Sequence, residues 1–453
     1  MTPFGFTPGG SDDPSQDPDF AEMMRAMQEQ MKEQFEKLGM NSPGFINPLA
    51  ALFSQNPGAT AGKQEALPQA MVRDTAKKVA TTKGSMPLGT KDLSVVSSAF
   101  EISEIWLNEA TSFPATVAAV SAADRLATSR LDWVDTTLPG WITMMEPLAS
   151  GLAAAISDLL DQAVAGQEGS PEMAEAPPIE MISMVLRSFI GTMIATQLGQ
   201  SIGTLATEVT GAHDVGLPLL TPARPLLIPE NIENWSKDLE IAKSEIFIFH
   251  ALREGAVARL FAHNPWLVSY IQSAIVEYGK GIHIDIEAIS RQAEEAFEKM
   301  QENSPSLDGV AGPDALTFSL DSGVFTPEES PAQKVALQKL ETVLALIDGW
   351  SDDVVALAAG DRLPSLEQLR ETLRRRRATS APAQQLFSSL LGLQVSPKLS
   401  REASAFWRKV REIRSVEDRD QIWSSLLPSA EDLLQPEAFL ASTSIPDDLS
   451  GLI

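Results

Sequence analysis

The 453-residue chain contains no cysteine. This excludes disulfides, thiolate metal sites and a cysteine nucleophile, and makes the reducing cytoplasm the expected location. Histidine is almost as scarce: four in the whole chain, so any metal chemistry must draw on those four and on carboxylates. Positive charge is also short, with 35 basic against 61 acidic side chains and a formal charge of −26. That balance argues against a protein that tracks nucleic-acid phosphates. Long apolar runs are missing too. The most apolar stretch, Met181 to Thr207, is interrupted by Arg187, Gln197 and Gln200, short of the roughly 20 consecutive apolar residues a membrane span needs. It predicts a buried helix. Met1 to Asp19 has neither a basic start nor an apolar core, so it does not read as a secretory signal. Phosphate-cradling glycine loops and nucleophile elbows are absent as well.

What is present is a globular composition, 43% hydrophobic. The composition of Met1 to Asp19 predicts a disordered start. In residues 20–40, Phe20, Met23, Met24, Met27, Met31 and Phe35 recur at helical spacing, an amphipathic Met-rich helix (Phe20 to Leu38) that either packs on its own domain or docks on a protein partner. Residues 41–92 lack periodicity and read as a linker, so the compact domain is expected at 93–445. There the pattern is predominantly α. Helices are expected over Val95 to Asn108, Val117 to Asp135, Trp141 to Val164, Ile179 to Val209, Asp238 to Ala262, Pro265 to Lys280, Ile286 to Glu302 and Pro331 to Ala359. Further ones follow over Leu366 to Arg377, Ala383 to Leu391, Ser400 to Ile413 and Asp418 to Leu426. Two short extended elements are expected at Pro225 to Ile228 and Leu316 to Leu320. Gly191, Ala195, Gly199 and Gly203 recur every four residues and form a flat stripe on which another helix can lie closely.

Ala242 to His263 poses the functional question. On a helical wheel Ile246, Phe249, His250, Arg253, Val257, Leu260 and Phe261 share one stripe, with Arg253 near its middle and Glu254 at its flank. A guanidinium among apolar neighbours either snorkels to the surface or meets a carboxylate. His250 and Glu254 share a face, but one imidazole and one carboxylate are too few to hold a metal. His213, His263 and His283 carry no ligand spacing and read as ordinary hydrogen-bonding residues. The basic run Arg374 to Arg377, with Arg370, reads as internal ion pairing with the surplus carboxylates, the alternative being a site for an acidic partner or an anionic ligand.

Leu252 to Leu267, LREGAVARLFAHNPWL, resembles the active-site helix of a zincin-like bacterial family of hydrolases described as zinc-dependent metalloproteases, with a branch associated with deazaflavin-cofactor biosynthesis. Glu104 to Thr111, Asp132 to Trp141, Gln197 to Ala206, Gly216 to Pro218, Leu340 to Trp350 and Leu366 to Leu393 resemble its other blocks, so the likeness runs from about Leu93 to Leu440. The resemblance implies a zincin-like metallopeptidase fold, helical with a small extended element, and zinc as the cofactor. In that family the helix carries HExxH, in which two imidazoles at i and i+4 bind zinc and the glutamate polarises water. Here the five positions read Arg253-Glu254-Gly255-Ala256-Val257. A guanidinium has no lone pair to give and valine has no donor atom, so the ordinary site cannot assemble. In the later block a third-ligand position corresponds to Asp348-Gly349-Trp350. The expectation is a non-catalytic binding or assembly protein without bound metal, with Glu254 a vestigial general base and Arg253 paired with Asp348 or Glu254 in place of the metal charge. The alternative is an active metallohydrolase that takes replacement ligands from His250, Glu254, His263, His283 or Asp348.

Overall fold

A computed structural model describes residues 67–116, 126–165, 179–280, 282–284, 325–327, 330–380, 384, 386 and 399–443. The Met-rich segment Phe20 to Leu38, the helix expected at Ile286 to Glu302 and the extended segment expected at Leu316 to Leu320 lie outside these residues. The chain divides into two compact units, residues 1–65 with 165–188 and residues 66–164 with 189–453. Of the first, Ala165 and residues 179–188 are described, all helical. Apart from the last residue of α3 and the first ten of α4, the second carries everything that follows.

It is predominantly α. Its helices are α1 (Gln69–Thr82), α2 (Thr90–Ala110), α3 (Arg130–Ala165), α4 (Ile179–Leu205), α5 (Pro229–Trp235), α6 (Lys243–His263) and α7 (Trp266–Gly279). After the strands β1 (Ile282–Ile284) and β2 (Phe325–Pro327) come α8 (Pro331–Ala359), α9 (Leu366–Ser380), α10 (Leu399–Ile413), α11 (Val416–Gln421) and α12 (Pro436–Thr443). The strands pair antiparallel, with His283 opposite Thr326. The stretch Pro225 to Ile228 forms isolated bridges only, from Leu227 to Ala127 and to Gly211. Among the described residues no helix is long and apolar enough to cross a membrane.

Local chemistry sets the main boundaries. Ser330 accepts from Gln333 N at 3.2 Å and Pro331 opens α8, while Gly360 at φ +47° ends it. Ser129 and Asp132 cap α3 at Arg130, and residues 126–129 run extended beside Leu227, so the described part of the helix expected over Val117 to Asp135 is helical from Arg130 on; residues 117–125 lie outside the described residues. From there α3 continues through Pro139 and Pro147, joining two helices expected as separate. Asp418 to Leu426 is also broken up: Ser415 caps a short α11 and a 3₁₀ turn follows at Ile422–Ser424.

The stretch expected as a linker holds α1. Its buried residues, Val72, Ala76 and Ala80, are spaced by four, but they are few and small, and the remaining residues are largely polar. The helix is held by α4: a Cβ on Gly199 would lie 2.7 Å from Thr75 Cβ, and one on Gly203 would lie 2.6 Å from Ala76 O. The bare stripe thus receives the α1 backbone directly. A second close crossing joins α8 and α10, where a Cβ on Gly349 would sit 2.6 Å from the Ala403 carbonyl carbon and the Ser404 nitrogen. Helix α8 packs on α10, α7, α2 and α6, and α2 packs on α6. Helix α6 is consequently buried on all sides, every residue from Ile246 to Phe261, and not along one stripe alone.

Candidate functional site

Three sides of α6 are held by three different partners. Toward α2, Arg259 is 1% exposed; its Nη2 donates to Glu104 Oε2 at 2.5 Å and Asn108 Oδ1 at 2.8 Å, and its Nη1 to Phe113 O at 3.1 Å. Gly255 lets the helices meet there, since a Cβ would come within 2.9 Å of Leu107.

Toward α8, Arg253 is 7% exposed, which removes the reading of a surface arginine with an apolar stem. Its Nη2 donates to Asp348 Oδ1 at 2.6 Å. The same oxygen accepts from Arg377 Nη1 of α9, whose Nη2 lies 3.6 Å from Asp214. Burial alone would raise the Asp348 carboxyl, but Arg377 and Arg253 outweigh it and hold it below the usual carboxylate range. Asp214 is likewise held low, with burial opposed by Arg377, Thr210 and His250.

Toward the loop after α4, Glu254 is 5% exposed and fully engaged. Its Oε1 accepts from Ala212 N at 3.0 Å, Leu226 N at 3.1 Å and His213 Nδ1 at 2.7 Å, and its Oε2 from His213 N at 3.2 Å. The carboxylate nests against Gly211, where a Cβ would lie 2.3 Å from Oε2. His213 therefore carries its proton on Nδ1. One turn back, Thr210 Oγ1 donates to Asp214 Oδ2 at 2.5 Å, so His250 Nδ1 is the donor in its 3.1 Å contact with Thr210 Oγ1. The Nε2 atoms of both imidazoles are buried without a protein partner.

Of the other histidines, His263 Nε2 donates to Pro114 O at 3.1 Å and its ring stacks on Phe113, while His283 lies in β1. Among the described residues no group of three His, Asp or Glu side chains is arranged to hold a metal ion. Zinc does not fit the chemistry at 253–257: the first imidazole position holds a cation bonded to Asp348, the second an alkyl group, and the acid between them is filled with N–H donors. Sequence reasoning missed His213, Thr210, Asp214 and Arg377 as members of this constellation. Gly211, a small residue beside a lone histidine, is the one trace of it in the chain.

Burial drives the pKa of His250 down to about 4, with Arg253, Arg376 and Arg377 adding to the shift and Asp214 opposing it. The group is thus neutral when folded and takes up its proton near 6.5 when unfolded, so its stabilisation is complete above pH 6.5 and is lost as pH falls toward 4. From the size of that shift we expect a loss of about 2–3 kcal/mol between pH 7.5 and 4.5 in urea titrations. His250→Gln should remove that part of the slope. Parallel pH curves for the two proteins would sink the assignment.

The site is thus a buried helix that carries Arg253-Glu254-Gly255-Ala256-Val257, crossed by the long helix α8, which supplies Asp348. Residues 69–440 match the family described as zincin-like metallopeptidase, and the chain belongs to that family. A solved structure, a proposed hydrolase with a novel fold from Chloroflexus aurantiacus, is similar over 83% of this chain and 98% of its own, with a TM-score of 0.53 and 16% identity. At that identity the likeness concerns the fold. No curated protein gives a significant match.

Proposed function

We propose that this family member is a non-catalytic binding or assembly protein. The observation that supports the reading best is Arg253, buried and bonded to Asp348 where a ligand imidazole would be required. In this reading the guanidinium supplies the positive charge a metal would have brought, and Asp348 balances it. Glu254 then serves the loop through four hydrogen bonds rather than activating water. A hydrolytic role through substitute ligands would have His250 Nε2, which has no protein partner, as one donor, but Glu254 is already filled by four donors, and among the described residues no three His, Asp or Glu side chains are arranged to hold a metal ion.

The test is zinc content and chelator-sensitive peptidase activity of the full chain, purified without a histidine tag. We expect zinc well below one ion per chain and no such activity. One tightly held zinc per native chain would overturn the reading. The double variant Arg253→His/Val257→His restores two ring nitrogens at i and i+4 and releases Asp348 from one of its two guanidinium partners, leaving Arg377, so it should gain zinc that the native chain lacks.

A further inference from the structure

Helix α9 is attached in an unusual way. Among its described residues only Leu366 and Leu369 are buried apolar side chains, with Leu373 partly covered. The rest of its inward face is arginine. Arg370 Nε and Nη2 donate to the two oxygens of Asp352 at 2.9 and 2.6 Å. Arg377 reaches Asp348 and Asp214. Arg376 donates to Trp235 O at 2.5 Å and lies 5.0 Å from the centroid of the Trp235 ring. Arg374 and Arg375, on the outward face, pair with Glu371 of the same helix.

We propose that the surface beneath α9 is a receptor groove for an arginine-bearing helix, that α9 occupies it in cis, and that a basic amphipathic helix of a partner protein displaces α9 and takes its place. Among the described residues the inward arginines of α9 meet the aspartates Asp214, Asp348 and Asp352 and the aromatic face of Trp235, with Arg253 bonded to Asp348 beside them. That composition fits guanidinium groups by paired hydrogen bonds and by stacking. The spacing it reads is the one α9 shows, arginines at i, i+6 and i+7. Such an attachment is specific without being strong, because each guanidinium leaves water to dock and regains water on release. Competition by a helix of the same chemistry is therefore feasible. The net charge of −26 also steers basic partners toward the chain and acidic ones away. The inference rests on the binding-protein reading and gives that reading a partner class and a place.

The probe is a fluorescein-labelled peptide with the sequence of residues 366–380, titrated into the full chain and followed by anisotropy in 50 mM NaCl. A control peptide has the same composition with its arginines redistributed around the helix. Arg370→Ala/Arg377→Ala, which loosens the cis helix, should bind the probe about tenfold more tightly than the native chain, as expected for two lost pairs. Adding Asp348→Asn should weaken that binding about tenfold. Hydrogen exchange on the native chain gives a second reading that needs no variant: amides of α9 should exchange faster in 0.5 M than in 0.05 M NaCl, with those of α6 unchanged. Equal binding of probe and control, binding indifferent to Asp348, no saturable binding, or a native dimer formed by exchange of α9 would each overturn the proposal. Zinc is measured on the same preparation. Stoichiometric zinc would sink the binding-protein reading by itself, whereas a zinc-free chain that ignores the peptide sinks the groove alone.

Discussion

Replacing Arg419 by alanine should cost about 3–5 kcal/mol of unfolding free energy, as the removal of one partner from a buried ionic cluster typically does. Arg419, Asp353 and Asp420 have no exposed side-chain surface. Arg419 Nη1 donates to Asp353 Oδ2 at 2.8 Å, Nε to Asp420 Oδ1 at 2.9 Å and Nη2 to Ala110 O at 2.8 Å. Asp420 also accepts from Trp350 Nε1 at 2.8 Å, Thr111 Oγ1 at 2.6 Å and Ser112 N at 2.7 Å. One arginine therefore fastens the end of α2, the middle of α8 and the short α11. Without it two carboxylates stay buried, and Arg411 reaches only Asp353. Arg419→Lys keeps the charge but not the planar fork, and should recover less than half of the loss. Removing the three fully buried charges together, Asp353→Asn/Arg419→Met/Asp420→Asn, should be milder than Arg419→Ala alone, since the Arg411 left without its carboxylate is partly exposed to water. The check is urea denaturation of the four proteins. A loss below about 1 kcal/mol for Arg419→Ala, the scale of an exposed pair, would refute the account.

Much of the helical frame is legible in the sequence because punctuation and period agree. The Ser330-Pro331 start and the Gly360 stop bracket α8, and its expected bounds, Pro331 to Ala359, are those observed. Helix α10 shows its stripe openly as Ala403, Phe406, Trp407 and Val410. Helix α1 escaped because its apolar face consists of small residues whose partner is the glycine side of α4, a pattern visible only when both helices are seen together. For α6 the stripe was legible and the completeness of burial was not: Ala251, Gly255 and Ala258 look neutral on a wheel but mark close approach by other elements. At the site, the demand of an apolar-faced arginine for a carboxylate can be read from local chemistry. The loop that fills Glu254 cannot, since His213 lies 41 positions away and its approach depends on a backbone path that no short-range pattern encodes. Arg377 is hidden in another way. In a run of four arginines, only the phase of α9 decides which ones turn inward.

Glu254→Ala should cost the fold about 3–5 kcal/mol, because three backbone N–H groups and the His213 Nδ1–H lose their acceptor in a buried site. The prediction separates two roles for the retained acid. A carboxylate kept as the remnant of a water-activating base would stand largely free, and its removal would leave stability within about 0.5 kcal/mol. A carboxylate that organises the loop would instead release the amides of Ala212, His213 and Leu226 to exchange while α8 and α10 stay protected. Glu254→Gln sharpens the contrast. Its carbonyl can take over the three donors at Oε1, leaving one clash between its amide and His213 N, so it should lose about 1–2 kcal/mol. Gly211→Ala attacks the same nest from the other side, since its methyl would lie 2.3 Å from Oε2 and force the carboxylate and loop apart. Urea midpoints for the three variants, with hydrogen exchange on Glu254→Ala, make the test. If Glu254→Ala unfolded at the native midpoint, the carboxylate would not be what closes the loop, and the argument for a purely architectural acid would fail. If it unfolded early with the loop amides released, the persistence of glutamate between Arg253 and Val257 would be accounted for by folding alone and would cease to favour hydrolysis.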